Sequence, residues 1–392
     1  MKRLIVLFCL LGVGSRLPAF FLPTYHGARS LALGFSGLAY SLDTDAQGLN
    51  PAMLAQLSLS MTGYQYQTNS FSVSNFNEKW NELQGLGTQG FLALPAADRA
   101  ELWTRLQASA GGRPGLWGGQ RKRISGTSGS AAFSVSWIDE AVFVPTDSPL
   151  WAKDSGTVTA EDLTQLSVNW IGWSYVQYAA SYSFALSRGV SLGVTGRYLK
   201  GQGGTGQEFM LGGSTLAGQT VRDRLKPAWT SADGDFHKIF MDASLSLALG
   251  SSFLAGVMVE NVTRAKVSIA DREIAPPRRA TVGIAFRPTT EWGFFLDVDV
   301  AKTALFYATE KSQPISLGME RSFFNQALWL RIGLGNDLGE EYFLGRKSNM
   351  LYGLGIGIQL DKLVIDGALS LDRDGRVRSM AVSGFLRFGK TN

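Results

Sequence analysis

A two-residue period runs through most of this chain, and few folds accommodate it for so long. From about Tyr175 to the carboxyl end, apolar and polar residues alternate in one stretch after another, separated by short turn sequences. Successive side chains of a strand point to opposite faces, so each stretch predicts a strand with one apolar and one polar face. Ser187-Arg188-Gly189 joins a strand ending at Leu186 to one with Val190, Leu192, Val194 and Tyr198 on its apolar face. The other face carries Ser191, Gly193, Thr195 and Arg197. Gly250-Ser251-Ser252 joins Met241/Ala243/Leu245/Leu247/Leu249 to Phe253/Ala255/Val257/Val259. Residues 287–291 join Ala280/Val282/Ile284/Phe286 to Trp292/Phe294/Leu296/Val298/Val300, with Asp297 and Asp299 on the opposite face. Further turns fall near Phe324-Asn325 and at Asp361-Lys362. The last strand sets Met380, Val382, Leu386 and Phe388 against Ser379, Ser383 and Arg387.

A soluble sandwich alternates too, but three features point to a barrel in a membrane. The strands recur at about the ~9–11 residues that a tilted spanning strand needs. The charges Arg197, Asp297, Glu320, Arg331 and Arg387 all fall on the polar face, which a membrane barrel turns to its lumen. Tight turns also alternate with long connections such as 201–235, the asymmetry of short periplasmic turns and long external loops. Trp292, Tyr352 and Phe388 near strand ends suit interfacial girdles. The expected fold is all-β: a closed antiparallel transmembrane barrel of about 14 strands. Thirteen strands are legible, including 57–66 and 129–137. An even number is required if both termini lie on one side, so the missing strand belongs between Gln67 and Arg123. Residues 111–130 and 145–165 read as loops. Leu94-Pro95-Ala96-Ala97-Asp98, followed by Leu102, Trp103 and Leu106, reads as a small helical insertion, about 77–110.

Composition narrows the class. With 45% apolar residues, mean hydropathy is only +0.03, the average that alternation produces. No window approaches the ~20 consecutive apolar residues of a membrane-spanning helix. Met1-Lys2-Arg3 followed by Leu4–Gly14 reads as a secretory signal, cleaved after Ser15 or Ala19. The single cysteine, Cys9, lies inside it, so disulfides and thiolate metal sites are not expected. Loss of Lys2, Arg3 and Arg16 takes the net charge from +5 to +2, which gives nucleic-acid binding no support.

Upstream of the strands, residues 31–66 run from a Gly/Ala-rich segment (Gly34, Gly37, Ala39) to Asn50-Pro51-Ala52 and then into an alternating strand. Asn50 can cap free backbone N–H groups, and Pro51 suits a first helical position. On these residues alone a generic capped turn stays open. In the strand, Leu57, Leu59 and Met61 form the apolar face, and Ser58, Ser60 and Thr62 the polar one. The segment resembles the amino-terminal hatch and first strand of the FadL-type outer-membrane transport family, in which an Asn-Pro-Ala turn sits inside the barrel. The resemblance covers residues 27–66 and is architectural beyond them. It implies a signal at 1–19, a luminal hatch at 20–56 carrying Gly34, Gly37, Asn50, Pro51 and Ala52 as its motif, and an outer-membrane barrel over 57–392. It also implies passive uptake of hydrophobic small molecules such as long-chain fatty acids. They would enter near the external loops, pass to an apolar pocket and leave as the hatch shifts, without catalysis or cofactor. Outer-membrane lipid and such molecules would be the partners. A second reading comes from relatives of the same architecture, PorV-like, conjugation-associated or spirochaetal, and is a docking or shuttle role with envelope or secretion proteins.

Other patterns carry less. Gly384 to Thr391 satisfies a P-loop by letter but lacks a following helix. Two G-x-G-x-x-G matches, at 85–90 and 201–206, lack a strand–turn–helix unit. His26 and His237 are the only histidines. A barrel hydrolase built on His237 would need a second catalytic element, and none is visible. Asp43 and Asp45 read as solvated turn residues rather than an acid/base pair.

Overall fold

The computed structural model describes residues 27–41, 43, 45–57, 60–72, 76–107, 116–145, 149–209, 234–269, 272–274, 278–304, 311–338, 350–373 and 375–388. The signal, His26 and residues 389–392 of the P-loop match lie outside them. Fourteen strands close into one antiparallel barrel. They are β1 (Ser60–Ser72), β2 (Leu116–Ser128), β3 (Ala131–Pro145), β4 (Ser167–Ser187), β5 (Val190–Phe209), β6 (Gly234–Ala248) and β7 (Phe253–Glu260). The ring continues with β8 (Arg279–Phe286), β9 (Trp292–Asp299), β10 (Pro314–Phe323), β11 (Leu328–Asp337), β12 (Leu351–Leu360), β13 (Leu363–Leu371) and β14 (Val377–Phe388). Each strand pairs with its sequence neighbours, and β1 pairs with β14 from Ser60↔Phe388 to Asn69↔Ser379. Closure leaves no edge strand, which a bilayer requires because its core cannot satisfy a free backbone N–H. The tight turns 129–130, 188–189, 249–252, 287–291, 324–327 and 361–362 all lie at one end, the turn end. The opposite end is the loop end.

The alternation sorts the two faces. Leu192, Val194, Ile284, Leu354 and Val382 point outward and are exposed, whereas Ser191, Thr195, Asp297, Ser379 and Ser383 point inward and are buried. An outward face of bare Leu, Ile, Val, Phe and Tyr belongs in lipid. Aromatic pairs cluster near the turn end, where the Phe253 and Phe286 rings stack at 4.5 Å and Trp292 and Phe294 at 6.0 Å. No described helix is long and apolar enough to cross a membrane.

Several boundaries differ from the sequence reading. The fourteenth strand is β2, inside the segment 111–130 read as loop; its outward positions include Gln120 and Lys122, so it lacks an unbroken apolar face. β3 extends well past Trp137. β5 runs to Phe209 and β6 starts at Gly234, so the long connection narrows to 210–233, outside the described residues. The face of β1 is inverted. Met61 is buried at 4% exposure on the luminal side, and Tyr64 stands outward at 49%. Ser58 and Leu59 lie outside the described residues. Met61 packs against the luminal residues Met53 and Leu54, so an apolar side chain here marks an internal contact.

At the loop end the insertion between β1 and β2 forms α3 (Phe76–Ala93, kinked at Gly87) and α4 (Ala96–Gln107). Trp80, Leu83, Phe91, Leu102, Trp103 and Leu106 from this pair share a buried cluster with Trp151, Val158 and Leu163 from the β3–β4 connection. Trp103 stacks on Trp151 at 5.5 Å, and its indole N–H donates to the Lys153 carbonyl at 2.8 Å.

Candidate functional site

Residues 27–41, 43 and 45–57 occupy the lumen. They form α1 (Ala28–Ala32), α2 (Ala46–Leu49) and a 3₁₀ turn, Pro51–Gln56. None is long enough to be stable alone in water, so their conformation depends on the wall. Asn50 makes that dependence visible. Its side-chain oxygen accepts from Ala52 N–H at 3.1 Å with Pro51 at the first helical position, and its amide donates to the carbonyls of Leu38 at 3.1 Å and Leu245 of β6 at 3.5 Å. One buried amide thus starts the turn, ties two hatch segments together and reaches the wall. Ala52 N–H is also shared with Ser244 Oγ at 2.9 Å.

The wall receives the hatch with glycines near the middle of its strands. A Cβ on Gly333 of β11 would fall 2.0 Å from Gly34 N, and one on Gly193 of β5 would fall 2.1 Å from Ala52 N. Cβ atoms on Gly318, Gly353 and Gly355 would likewise overlap Leu33, Leu31 and Ala32. Gly34 itself has φ +68 and lies against the Leu334 backbone, so both conformation and space require it. Gly37, at φ +131, meets no wall backbone. It serves through its N–H instead. Gly37 N–H and Leu38 N–H both donate to Asp297 Oδ2, at 2.8 and 2.9 Å.

Ionic contacts complete the seat. Arg29 donates to both oxygens of Glu320 of β10, at 3.0 and 3.2 Å, and to the Tyr40 carbonyl at 2.8 Å. Glu320 also accepts from Arg331 Nε at 2.7 Å, and Arg331 pairs in turn with Asp366. On the other side Arg123 of β2 donates to Gln47 Oε1 at 2.7 Å and lies 3.7 Å from Asp45. Asp43 and Asp45, read as solvated from sequence, are 8% and 3% exposed. Asp43 accepts from Asp45 N–H at 2.7 Å, and Asp45 accepts from Gln65. Burial, then the neighbouring Asp43 charge, pushes Asp45 up to about 7, against the pull of Arg123 and Gln65.

The hatch divides the lumen into two cavities. The turn-end one, about 240 Å³, is bounded by Arg29, Tyr40, Arg287 and Arg387. The loop-end one, about 210 Å³, rests on Phe35, Leu38 and Leu49. Its walls carry Arg121 and Arg123 of β2, Arg197 of β5, Arg279 of β8, and Glu140, Asp242, Glu260, Asp297 and Asp299. An apolar pocket was expected in the upper barrel; this cavity has an apolar floor and charged walls. Strands β2 and β9 are seven apart in the ring of fourteen, so the Arg121/Arg123 pair faces Asp297 and Asp299 across the lumen. His237 stands outside this lining, exposed on the outward face of β6.

Among solved structures the chain is similar to the toluene transporter TbuX of Ralstonia pickettii, with a TM-score of 0.55 at 13% identity over 94% of this chain and 100% of that one. It is similar to the CymD monoaromatic hydrocarbon channel (0.53, 11% identity, 95% and 100% covered) and to a Pseudomonas aeruginosa FadL homologue (0.51, 12% identity, 96% and 99% covered). The chain has the FadL-type barrel fold. No protein-family model matches the sequence, and no curated protein does. The likeness to these FadL-type barrels is one of fold, at identities too low to carry site residues across. The sequence drew attention to Gly34, Gly37, Asn50, Pro51 and Ala52. It did not reveal that wall glycines and Asp297 meet them, nor that Arg29, Asp45 and Gln47 anchor the same segment, because the wall partners lie up to hundreds of residues away.

Proposed function

We propose that this chain is an outer-membrane barrel for passive, hatch-gated uptake of small hydrophobic molecules, with the turn end periplasmic and the loop end outside. The observation that carries this reading is the seating of the hatch. Between two cavities, a segment without stable structure of its own is held by small apolar clusters together with hydrogen bonds and ion pairs that water can replace. A typical hydrogen bond of this kind contributes only about 0.5–1.5 kcal/mol net, so the seat can open without the barrel unfolding. The neighbours named as toluene and monoaromatic hydrocarbon channels support small aromatics as cargo, and the FadL homologue keeps longer acyl chains within range. An acyl chain gains about 0.8 kcal/mol per buried CH₂, so such cargo needs space more than a motif. The docking reading would call for an exposed apolar surface on the external loops. Among the described residues of the helical insertion, no large apolar side chain is exposed.

The test is uptake of labelled toluene and of a labelled long-chain fatty acid by cells with and without the protein. A second arm locks the hatch with Ala28→Cys and Ser383→Cys, placed where Ala28 N–H donates to Ser383 Oγ at 3.0 Å. Uptake that depends on the protein, stops on oxidation and returns on reduction is the expected result. Equal entry in cells with and without the protein, with stoichiometric recovery of secretion components, would replace uptake with docking.

A further inference from the structure

The loop-end cavity is not built for an uncharged hydrocarbon. Its floor of Phe35, Leu38 and Leu49 is apolar, but both arginines and carboxylates stand in its walls. The two signs alternate from strand to strand: Arg197 of β5 donates to Asp242 of β6 at 2.6 Å, and Arg279 of β8 lies 2.5 Å from Asp299 of β9. A bare aromatic ring would use none of this charge, whereas a molecule bearing both an ammonium and a carboxylate meets a wall group for each.

We propose that this cavity is a binding site for a small zwitterion with an apolar body, the chemistry of an aromatic or branched-chain α-amino acid. The apolar body rests on Phe35 and Leu38, the ammonium turns toward Asp297 and Glu260, and the carboxylate turns toward Arg197 and the β2 arginines. Size agrees with this assignment. An apolar cavity of about 150 Å³ takes a benzene ring, and this one offers about 210 Å³. The inference rests on the uptake reading and narrows its cargo to compounds with a dipolar head.

The test uses the purified full-length protein in detergent and four compounds built on one ring: phenylalanine, phenethylamine, 3-phenylpropionate and toluene. Equilibrium dialysis gives their affinities, and proteoliposomes made with the same protein give their entry rates. Phenylalanine is expected to bind tightest, with both singly charged compounds weaker and toluene weakest. Glu260→Gln is expected to reduce the preference for phenylalanine over toluene about tenfold, the loss of one charge-assisted interaction. Asp297→Asn is expected to do the same and, in addition, to loosen Gly37 and Leu38. Toluene binding as tightly as phenylalanine, or an unchanged preference in both variants, overturns the proposal. Entry of toluene without phenylalanine binding leaves uptake standing and removes this site. Phenylalanine binding with no entry of any compound leaves the site standing and removes uptake.

Discussion

The hatch and the helical cap at the loop end both pack onto the same barrel, yet different forces hold them. The cap buries Trp80, Phe91, Trp103 and Trp151 in a continuous apolar cluster. The hatch presents Ala32, Gly34 and Ala52 to wall glycines, buries Leu31, Leu33, Met53 and Leu54 in three smaller clusters, and fastens itself to the wall through Arg29, Gln47, Asn50 and the bonds to Asp297. A large apolar side chain gains about 1.5–3 kcal/mol on burial, and that gain disappears only if the side chain returns to water. The hatch divides its apolar contacts among small clusters and adds hydrogen bonds and ion pairs, which water can replace. The cap's hold is gathered in one cluster, and the hatch's is spread over strands on opposite sides of the barrel.

The sharpest way to break this comparison is at the glycine seat. Gly333→Ala places a Cβ 2.0 Å from Gly34 N, against backbone that cannot step aside as a flexible side chain would. Amide exchange over 27–57 should lose its protection while the cap keeps its own; retained protection would mean the seat is looser than the contact distances state. Trp103→Ala should cost about 3–5 kcal/mol within the cap, as large aromatic truncations do. Protease should then cut residues 76–107 and leave the hatch untouched. Arg29→Ala strips one partner from buried Glu320, a change that costs about 3 kcal/mol or more where a buried pair is broken. Arg331 still holds Glu320 from the other side, which keeps the expected loss at the low end of that range. It should appear as faster hatch exchange, with the cap unmoved.

Acidity should separate the two regions next. Asp45 has a raised pKa in the seated hatch, so the seated form holds more protons than the released one between about pH 4 and 7. Its stabilising share is complete at low pH and is lost as pH rises through about 7, at no more than about 1.4 kcal/mol per unit. Hatch protection factors, with the intrinsic pH dependence of amide exchange divided out, should be larger at pH 5 than at pH 8, and Asp45→Asn should flatten that profile. The cap should show no such slope. The smallest effect belongs to Asn50→Ala, about 1 kcal/mol for the lost cap. A result beyond about 2 kcal/mol would show that the amide contacts to Leu38 and Leu245 outweigh the cap itself.

The barrel was largely legible because alternation is local. Leu192/Val194 against Ser191/Thr195, or Phe294/Leu296 against Phe295/Asp297, fixes which side faces lipid from a few adjacent residues. Legibility failed where a residue answers to something distant. Met61 read as a lipid-facing residue because its hydrophobicity is real, but its partner is Met53 of the hatch. β2 read as loop because Gln120 and Lys122 break its outward stripe. Asp43 and Asp45 read as turn residues because nothing local announces Gln65 or Arg123. The glycines of β10 to β12 look like ordinary strand irregularities until the hatch backbone is placed against them. Asn50-Pro51 stood out because capping is also local, while the wall contacts of Asn50 are not.

The bond from Ala28 N–H to Ser383 Oγ spans 355 positions of the chain, and it sets an order of events. The segment that leaves the ribosome first docks partly onto strands that are made last. While β10 to β14 are being added, the part of the hatch from Ala28 to Gly34 has no seat, even where residues 47–52 already have theirs on β2, β4, β5 and β6. The final stitch between β1 and β14 and the seating of the hatch are then neighbouring steps at the end of assembly. Truncating the carboxyl-terminal strand should therefore strand the start of the hatch as well, leaving an unfinished barrel whose residues 28–34 stay open to added protease.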